Sequence, residues 1–379
     1  MKFNNNKLCS LLKINYPIIL AGMSGLTNPK LVAAVSNAGG LGILGAESIT
    51  KEKLHKDIKR IKKMTEKPFG INLLLAKNEN RKNDRKDIHS MQKYLNTFRN
   101  ELSLEPRKDL NIENINEYSE LEIEDKIDII LKEKVPVISF GLGDPSKYIK
   151  KIQDSNNTKI ISMITTVDEA LSVTKCGVDI VMAQGSEAGG HRSTFDIRNN
   201  KQLPLIGTFV LVPQVVDAIN KFNKENHTKI LVIAAGGIMD GRGLVASLSL
   251  GASGVVIGTR FLLSKECPIF PNYQKYLLKS KETDSIITDI FSGRPARTVR
   301  NKYVDKFLAS KHQPLEWSTQ WDLADDIYQE AKKQNNYDYY PLLAGQGVRL
   351  LHDVKSVKEI IKELLHDANK ILKNMSKTI

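Results

Sequence analysis

With 379 residues, 41% hydrophobic and 26% charged, the chain has the balance of an ordinary globular protein long enough to bury a large core, which excludes a minimal module or a disordered chain. Its formal charge of +13 would suit a polyanion partner, but the excess lies in Lys-rich stretches (51–67 and 77–93) mixed with acids, so it reads as solvated helix faces and no nucleic-acid partner is expected. Cys9, Cys176 and Cys267 form neither a disulfide framework nor a metal-ligand spacing; with no signal-peptide core and no apolar run of the roughly 20 residues that span a bilayer, a soluble, reducing, cytoplasmic setting is expected, with no membrane partner.

In chain order, short apolar and β-branched runs recur at 17–21, 40–44, 69–75, 135–140, 159–164, 178–183, 229–235 and 254–257. Each is largely apolar on both faces, as in parallel strands buried between a core and a layer of helices. Capped amphipathic stretches separate them. Asn28-Pro29 opens 30–38, Thr166 with Glu169 three residues on precedes 170–176, and Asp240 opens 241–250. Eight strand-helix units in about 250 residues predict an α/β fold of the (β/α)8 or TIM-barrel type over residues 11–261, rather than an open doubly wound sheet. Two regions exceed that plan: a charged helical insertion after the third strand at about 76–134, and a mostly helical C-terminal extension over 262–379, expected to pack over the barrel mouth.

In such a barrel the chemistry sits in loops at the C-terminal ends of the strands. The candidates are therefore Ala21-Gly22-Met23 after the first run, Asn72 in the third, 184–191 after the sixth, Gly236-Gly237 after the seventh, and Gly258-Thr259 after the eighth. The last two turns place side-chain-free backbone before helices, where N–H groups and a helix N-terminus receive a phosphate; the alternative is that the glycines only make tight turns. In 184–192 (QGSEAGGHR), the Gly189-Gly190 pair lets the backbone approach a planar ligand, and His191 is positioned as a neutral base, a cation or a hydrogen-bond donor. The GxGxxG at 40–45 follows a helical stretch and occupies a strand, so it is not a dinucleotide fingerprint. None of the seven histidines falls in a ligand motif, and no metal is expected.

Together these segments resemble the nitronate monooxygenases, formerly called 2-nitropropane dioxygenases. The resemblance runs in family order through YPIILAGMSG (16–25), SNAGGLG (36–42), PFGINL (68–73), VPVISFG (135–141), 184–192, AGGI (235–238), GTRF (258–261), FSGRPAR (291–297) and LAGQG (343–347), and so covers nearly the whole chain. It implies an FMN enzyme that oxidises alkyl nitronates, or nitroalkanes, with O2 to carbonyl compounds and nitrite, a detoxifying activity in this family. It would put Met23, Asn72 and Gln184 against the isoalloxazine and Gly189 near the flavin, with Ala21 and Gly22 also binding the cofactor. Gly236, Gly237, Val256, Ile257, Gly258 and Thr259 would surround the phosphate, with the tail motif at Gly345-Gln346 closing over the cofactor. His191 would be the catalytic residue.

Two positions depart from the family pattern: Gly22, where many relatives have Pro, and Ser193, where many have Gly. Flavin-dependent enoyl-acyl-carrier-protein reductases and NAD(P)H:quinone reductases on the same scaffold are the alternative readings; Arg192 and segment 291–297 are more similar to the monooxygenases. Monomer and homodimer are both left open.

Overall fold

The eight apolar runs pair in parallel. In the computed structural model, which describes residues 3, 5–76, 85–107, 120–155, 158–197 and 202–378, they become β1 (Ile18–Leu20), β2 (Gly42–Gly45), β3 (Phe69–Leu74), β4 (Val137–Gly141), β5 (Lys159–Ile164) and β6 (Ile180–Gln184). A two-residue strand β7 (Gly190–His191) intervenes before β8 (Leu231–Ala235) and β9 (Val255–Ile257). The sheet runs β1-β9-β8-β6-β5-β4-β3-β2, and a parallel bridge from Ile19 to Leu41 joins its two ends. Leu20 N donates to Leu41 O at 2.9 Å, and Leu41 N to Ile18 O at 3.0 Å. The result is a TIM-barrel fold.

Because a strand turns alternate side chains to opposite faces, each run feeds two cores. Ile19, Val137, Ile161, Met182 and Ile233 pack inside the barrel, while Ile18, Ile71, Ile138, Val181 and Ile257 pack outward against the helices. A short helix, Lys7–Leu12, inserts Leu8, Cys9 and Leu12 into the inner cluster. Asn6 caps it, accepting from Cys9 N, and donates through Nδ2 to Ser253 O at 2.9 Å. The sequence reading had not assigned this plug.

At the other end of the barrel the inward ring turns polar. Asn72 and Ser139 lie side by side on β3 and β4, Gln184 pairs with Ala235, and all three polar residues are buried. The glycines at 42 and 45 serve packing. A Cβ at Gly42 would lie 2.1 Å from Val32 O, and one at Gly45 would lie 2.5 Å from Ser24 N.

The insertion contributes helices Arg85–Glu101 and Glu120–Lys132; its segments 77–84 and 108–119 lie outside the described residues. Arg99 is wholly buried and forks onto Asp326 at 2.8 and 3.0 Å, tying the insertion to tail helix Thr319–Lys333. Arg99→Ala removes both bonds to Asp326 and the one to the Leu323 carbonyl, leaving Arg107 at 3.2 Å as the remaining cation on that carboxylate, and should cost about 1–3 kcal/mol of stability, read by denaturant unfolding. A loss below about 0.5 kcal/mol would show that the clamp contributes nothing.

Helices dominate the tail, but it also forms an antiparallel ribbon, β10 (Ser285–Thr288) with β11 (Ala296–Val299). β7 adds to this ribbon, with His191 opposite Ala296 and Gly190 opposite Arg297. The loop between β10 and β11 therefore lies beside His191. No helix among the described residues is long and apolar enough to cross a membrane.

Candidate active site

A cavity of about 980 Å³ opens where the polar ring meets the loops. Ala21, Gly22, Met23, Asn72, Gln184, Gly189, His191, Gly236, Gly237, Val256, Gly258 and Thr259 all contribute to its wall. Ile257 does not. It is the outward residue of β9, packed among the helices, and only its carbonyl is turned to the loop side, accepting from Ala21 N at 3.0 Å. Ser139, Ser292 and Trp317 also line the cavity, and no role had been assigned to them from sequence.

At one end stand the glycine turns after β8 and β9. Gly236 and Gly237 adopt φ of +117° and +68°, and a Cβ at Gly236 would lie 2.7 Å from Thr208 Oγ1. The backbone N–H groups of Gly236, Gly237, Gly258 and Thr259 have no protein acceptor among the described residues. The neighbouring long helix, Thr208–Asn226, has its N-terminus filled by the Glu187 carboxylate, which accepts from Thr208 N at 2.9 and 3.0 Å. That helix N-terminus is thereby already occupied by a carboxylate.

The tail closes this end as a strap. Gly345 N donates to Thr259 Oγ1 and Gln346 N to Glu187 O, both at 2.9 Å. Gly189 exists for this closure: its Cβ would lie 2.5 Å from Ala344 C and Gly345 N. Gly190, at φ +77°, has nothing within 4 Å. Of the two, Gly190 is the position with open space beside it.

Gln184, paired beside Ala235, holds the His191 loop from both sides. Its Nε2 donates to His191 O at 3.0 Å, and its Oε1 accepts from Ser193 N at 2.9 Å. Between them Arg192 turns away and buries its guanidinium on Gly185 O (2.7 Å) and Gln184 O (3.0 Å), so its role is to fix the loop. His191 Nε2 lies 2.7 Å from Ser292 Oγ, and the imidazole meets Trp317 edge-on at 5.0 Å. The Ser292 hydroxyl is also 3.3 Å from Arg294 O. With the serine proton on that carbonyl, Nε2 carries the imidazole hydrogen and Nδ1 keeps its lone pair. Burial, followed by the nearby Arg294 charge, pushes the His191 pKa from 6.5 down to about 3, so the ring is neutral throughout the physiological range.

The comparisons with known proteins agree with this arrangement. Residues 5–367 match the family model described as Nitronate monooxygenase. The chain belongs to the nitronate monooxygenase family. A probable nitronate monooxygenase of Staphylococcus haemolyticus is 39% identical over 97% of this chain and 98% of its own length. One of Staphylococcus aureus is 37% identical, covering 98% of this chain and 99% of its own. Among solved structures, the nitroalkane oxidase of Streptomyces ansochromogenes superposes with a TM-score of 0.84 at 28% identity over 97% of this chain and 99% of that one. FabK of Thermotoga maritima gives 0.74 at 29% identity over 99% of each.

As a nitronate monooxygenase family member this protein is an oxidoreductase, and the family implies a flavin cofactor. The residues present fit such a group. Backbone donors at two glycine turns, unpaired among the described residues, suit its phosphate; Asn72 and Gln184 face the same space, and the buried Ser139 Oγ beside Asn72 has no hydrogen-bond partner among the described residues. Gly22 is sterically committed, since a Cβ there would lie 2.4 Å from Asn72 Cβ. Proline in this position would therefore require Asn72 to move. Among the described residues no group of three His, Cys, Asp or Glu side chains is placed to hold a metal.

Proposed function

We propose that this enzyme uses FMN to oxidise alkyl nitronates, and neutral nitroalkanes after their deprotonation, with O2 to carbonyl compounds and nitrite. The observation that carries this reading is a neutral imidazole at the end of a flavin-sized cavity, with the Ser292 hydroxyl on one ring nitrogen and the Arg294 cation nearby. In this reading the flavin accepts the electrons of the substrate, and the protein positions the reacting anion. Gly236, Gly237, Gly258 and Thr259 would take the phosphate, while Asn72, Gln184 and Ser139 would hold the ring. His191 then takes the α-proton of a neutral nitroalkane on Nδ1, the charge staying on the imidazolium while its Nε2–H remains on Ser292 Oγ, and the Arg294 field stabilises the nitronate anion formed beside the ring.

The depressed pKa gives a signed expectation. A neutral base is available down to about pH 3, so kcat/KM for a neutral nitroalkane should show no acid limb near 6.5, the usual imidazole value. Stability responds in the opposite sense to an ordinary paired histidine. Below 6.5 the unfolded chain binds a proton that the folded chain refuses, so stability falls as pH drops from 6.5 toward 3. A bell with an acid limb at 6–7, abolished by His191→Asn, would contradict this assignment.

The discriminating experiment is anaerobic reduction of the bound flavin. Ethyl nitronate should bleach it far faster than NADH. Faster bleaching by NADH would favour the reductase reading to which the FabK likeness points.

A further inference from the structure

We infer that Ser193 is a specificity-determining positioning residue, which holds Leu142 as the apolar stop at the His191 end of the cavity and thereby restricts the substrate to short alkyl chains. The inference rests on the function proposed above for the identity of the substrate, but its geometry does not.

Leu142 follows β4 with φ +61°, a left-handed conformation that a side chain with a β-carbon rarely adopts. Such a conformation persists only where the surroundings hold it. Here the hold is the Ser193 hydroxyl. Its Oγ accepts from Leu142 N at 2.9 Å and lies 3.2 Å from Met163 O, to which it donates, so one oxygen joins the ends of β4 and β5 to the loop after His191. Ser193 is itself fixed by its N–H on Gln184 Oε1, and the same amide holds the His191 carbonyl. His191 and Leu142 are therefore registered to each other through two side chains, Gln184 and Ser193.

What Leu142 does in that position follows from its neighbours. It packs with Ala76, Leu74 and Trp317, and Trp317 in turn meets the His191 ring. Leu142, Leu74 and Trp317 all face the cavity. A substrate presenting its reacting carbon to His191 would lay its alkyl group against this wall. Alanine or glycine at 193 removes the acceptor for Leu142 N, and a left-handed leucine without it relaxes and opens the stop. Threonine keeps the hydroxyl.

The test is a chain-length series, from nitroethane to 1-nitrohexane, on the flavin-loaded protein. Two readouts are taken: kcat/KM by nitrite release from the nitronates, and equilibrium binding of the neutral nitroalkanes to the His191→Asn background, followed through perturbation of the flavin absorbance. Wild type should favour the short members. Ser193→Ala should raise the ratio of long-chain to short-chain kcat/KM, and the corresponding ratio of affinities, by roughly tenfold, since a methylene admitted to or refused by an apolar pocket is worth about that much. Ser193→Thr should restore the wild-type profile. A merely structural serine would lower every member alike. Parallel profiles for wild type, Ser193→Ala and Ser193→Thr would overturn the inference. Should Ser193→Ala fail to retain flavin, Leu142→Ala must shift the profile by itself, and an unshifted profile there overturns it equally. Absence of nitrite from every nitronate would defeat the proposed reaction instead, while the binding series still decides the role of Leu142.

Discussion

Replacing His191 with Asn is expected to lower kcat/KM for neutral nitroalkanes by about 10²- to 10⁴-fold while the protein keeps its flavin. Asparagine retains polarity near Ser292 but cannot accept a proton, so the loss isolates base chemistry from packing. The cavity wall argues for retention. The His191 loop is held by Gln184 and Arg192 through backbone atoms that the substitution leaves in place. Preformed nitronates should lose less than neutral nitroalkanes, because their α-proton is already gone. Equal losses on both would mean that His191 works as a hydrogen-bond donor to the nitro group and not as a base. Undiminished turnover on both would remove it from the mechanism.

Gly189→Ala is the second large effect expected. The added carbon would lie 2.5 Å from two backbone atoms of the tail strap and 2.8 Å from a third, Ala344 Cα, and backbone cannot swing aside as a side chain does. Relief requires the strap to lift, which breaks the Gly345 N to Thr259 Oγ1 and Gln346 N to Glu187 O bonds. Overpacking of this kind costs about 1–3 kcal/mol, or roughly fivefold to 150-fold in an equilibrium constant. If the strap closes on the phosphate end of the flavin, that factor appears as weaker flavin binding, measured by dialysis or ultrafiltration. Gly190→Ala is the control. It meets no atom within 4 Å, so only its positive φ is penalised, and its effect should be smaller. Unchanged flavin affinity in Gly189→Ala would separate the strap from cofactor retention.

The barrel was legible because its strands are largely apolar on both faces and several of its helices begin with a capping residue (Asn28, Thr50, Thr166 and Asp240), so local pattern and global fold point the same way. Site legibility was uneven. Gly236, Gly237, Gly258 and Thr259 stand out because a turn at the end of a barrel strand has a fixed place in the architecture. Ile257 was swept in with its neighbours, although the pleat that turns Val256 inward must turn the next residue outward. The partners of His191 were hidden by distance in the chain. Ser292 lies 101 positions away, and the ribbon that delivers it pairs with a strand of only two residues, too short to leave a periodic signal. The Lys7–Leu12 plug escaped for a similar reason, since a six-residue helix shows little more than one turn of pattern. Ser193 was visible as a departure from the family pattern, but its bond to Leu142 depends on a left-handed residue that no sequence period announces.

A phosphate held by the glycine turns would bring the flavin into a cavity that carries its own probe. Its two tryptophans, Trp317 and Trp321, both line the cavity, so flavin binding to the flavin-free protein can be read as quenching of their fluorescence. Titration with FMN beside riboflavin, which lacks only the phosphate, is the most direct measurement. Charge-assisted bonds from two or more backbone N–H groups predict one FMN per chain, bound at least roughly a hundredfold more tightly than riboflavin. Equal affinity for the two, or a folded protein that takes up neither, would contradict it.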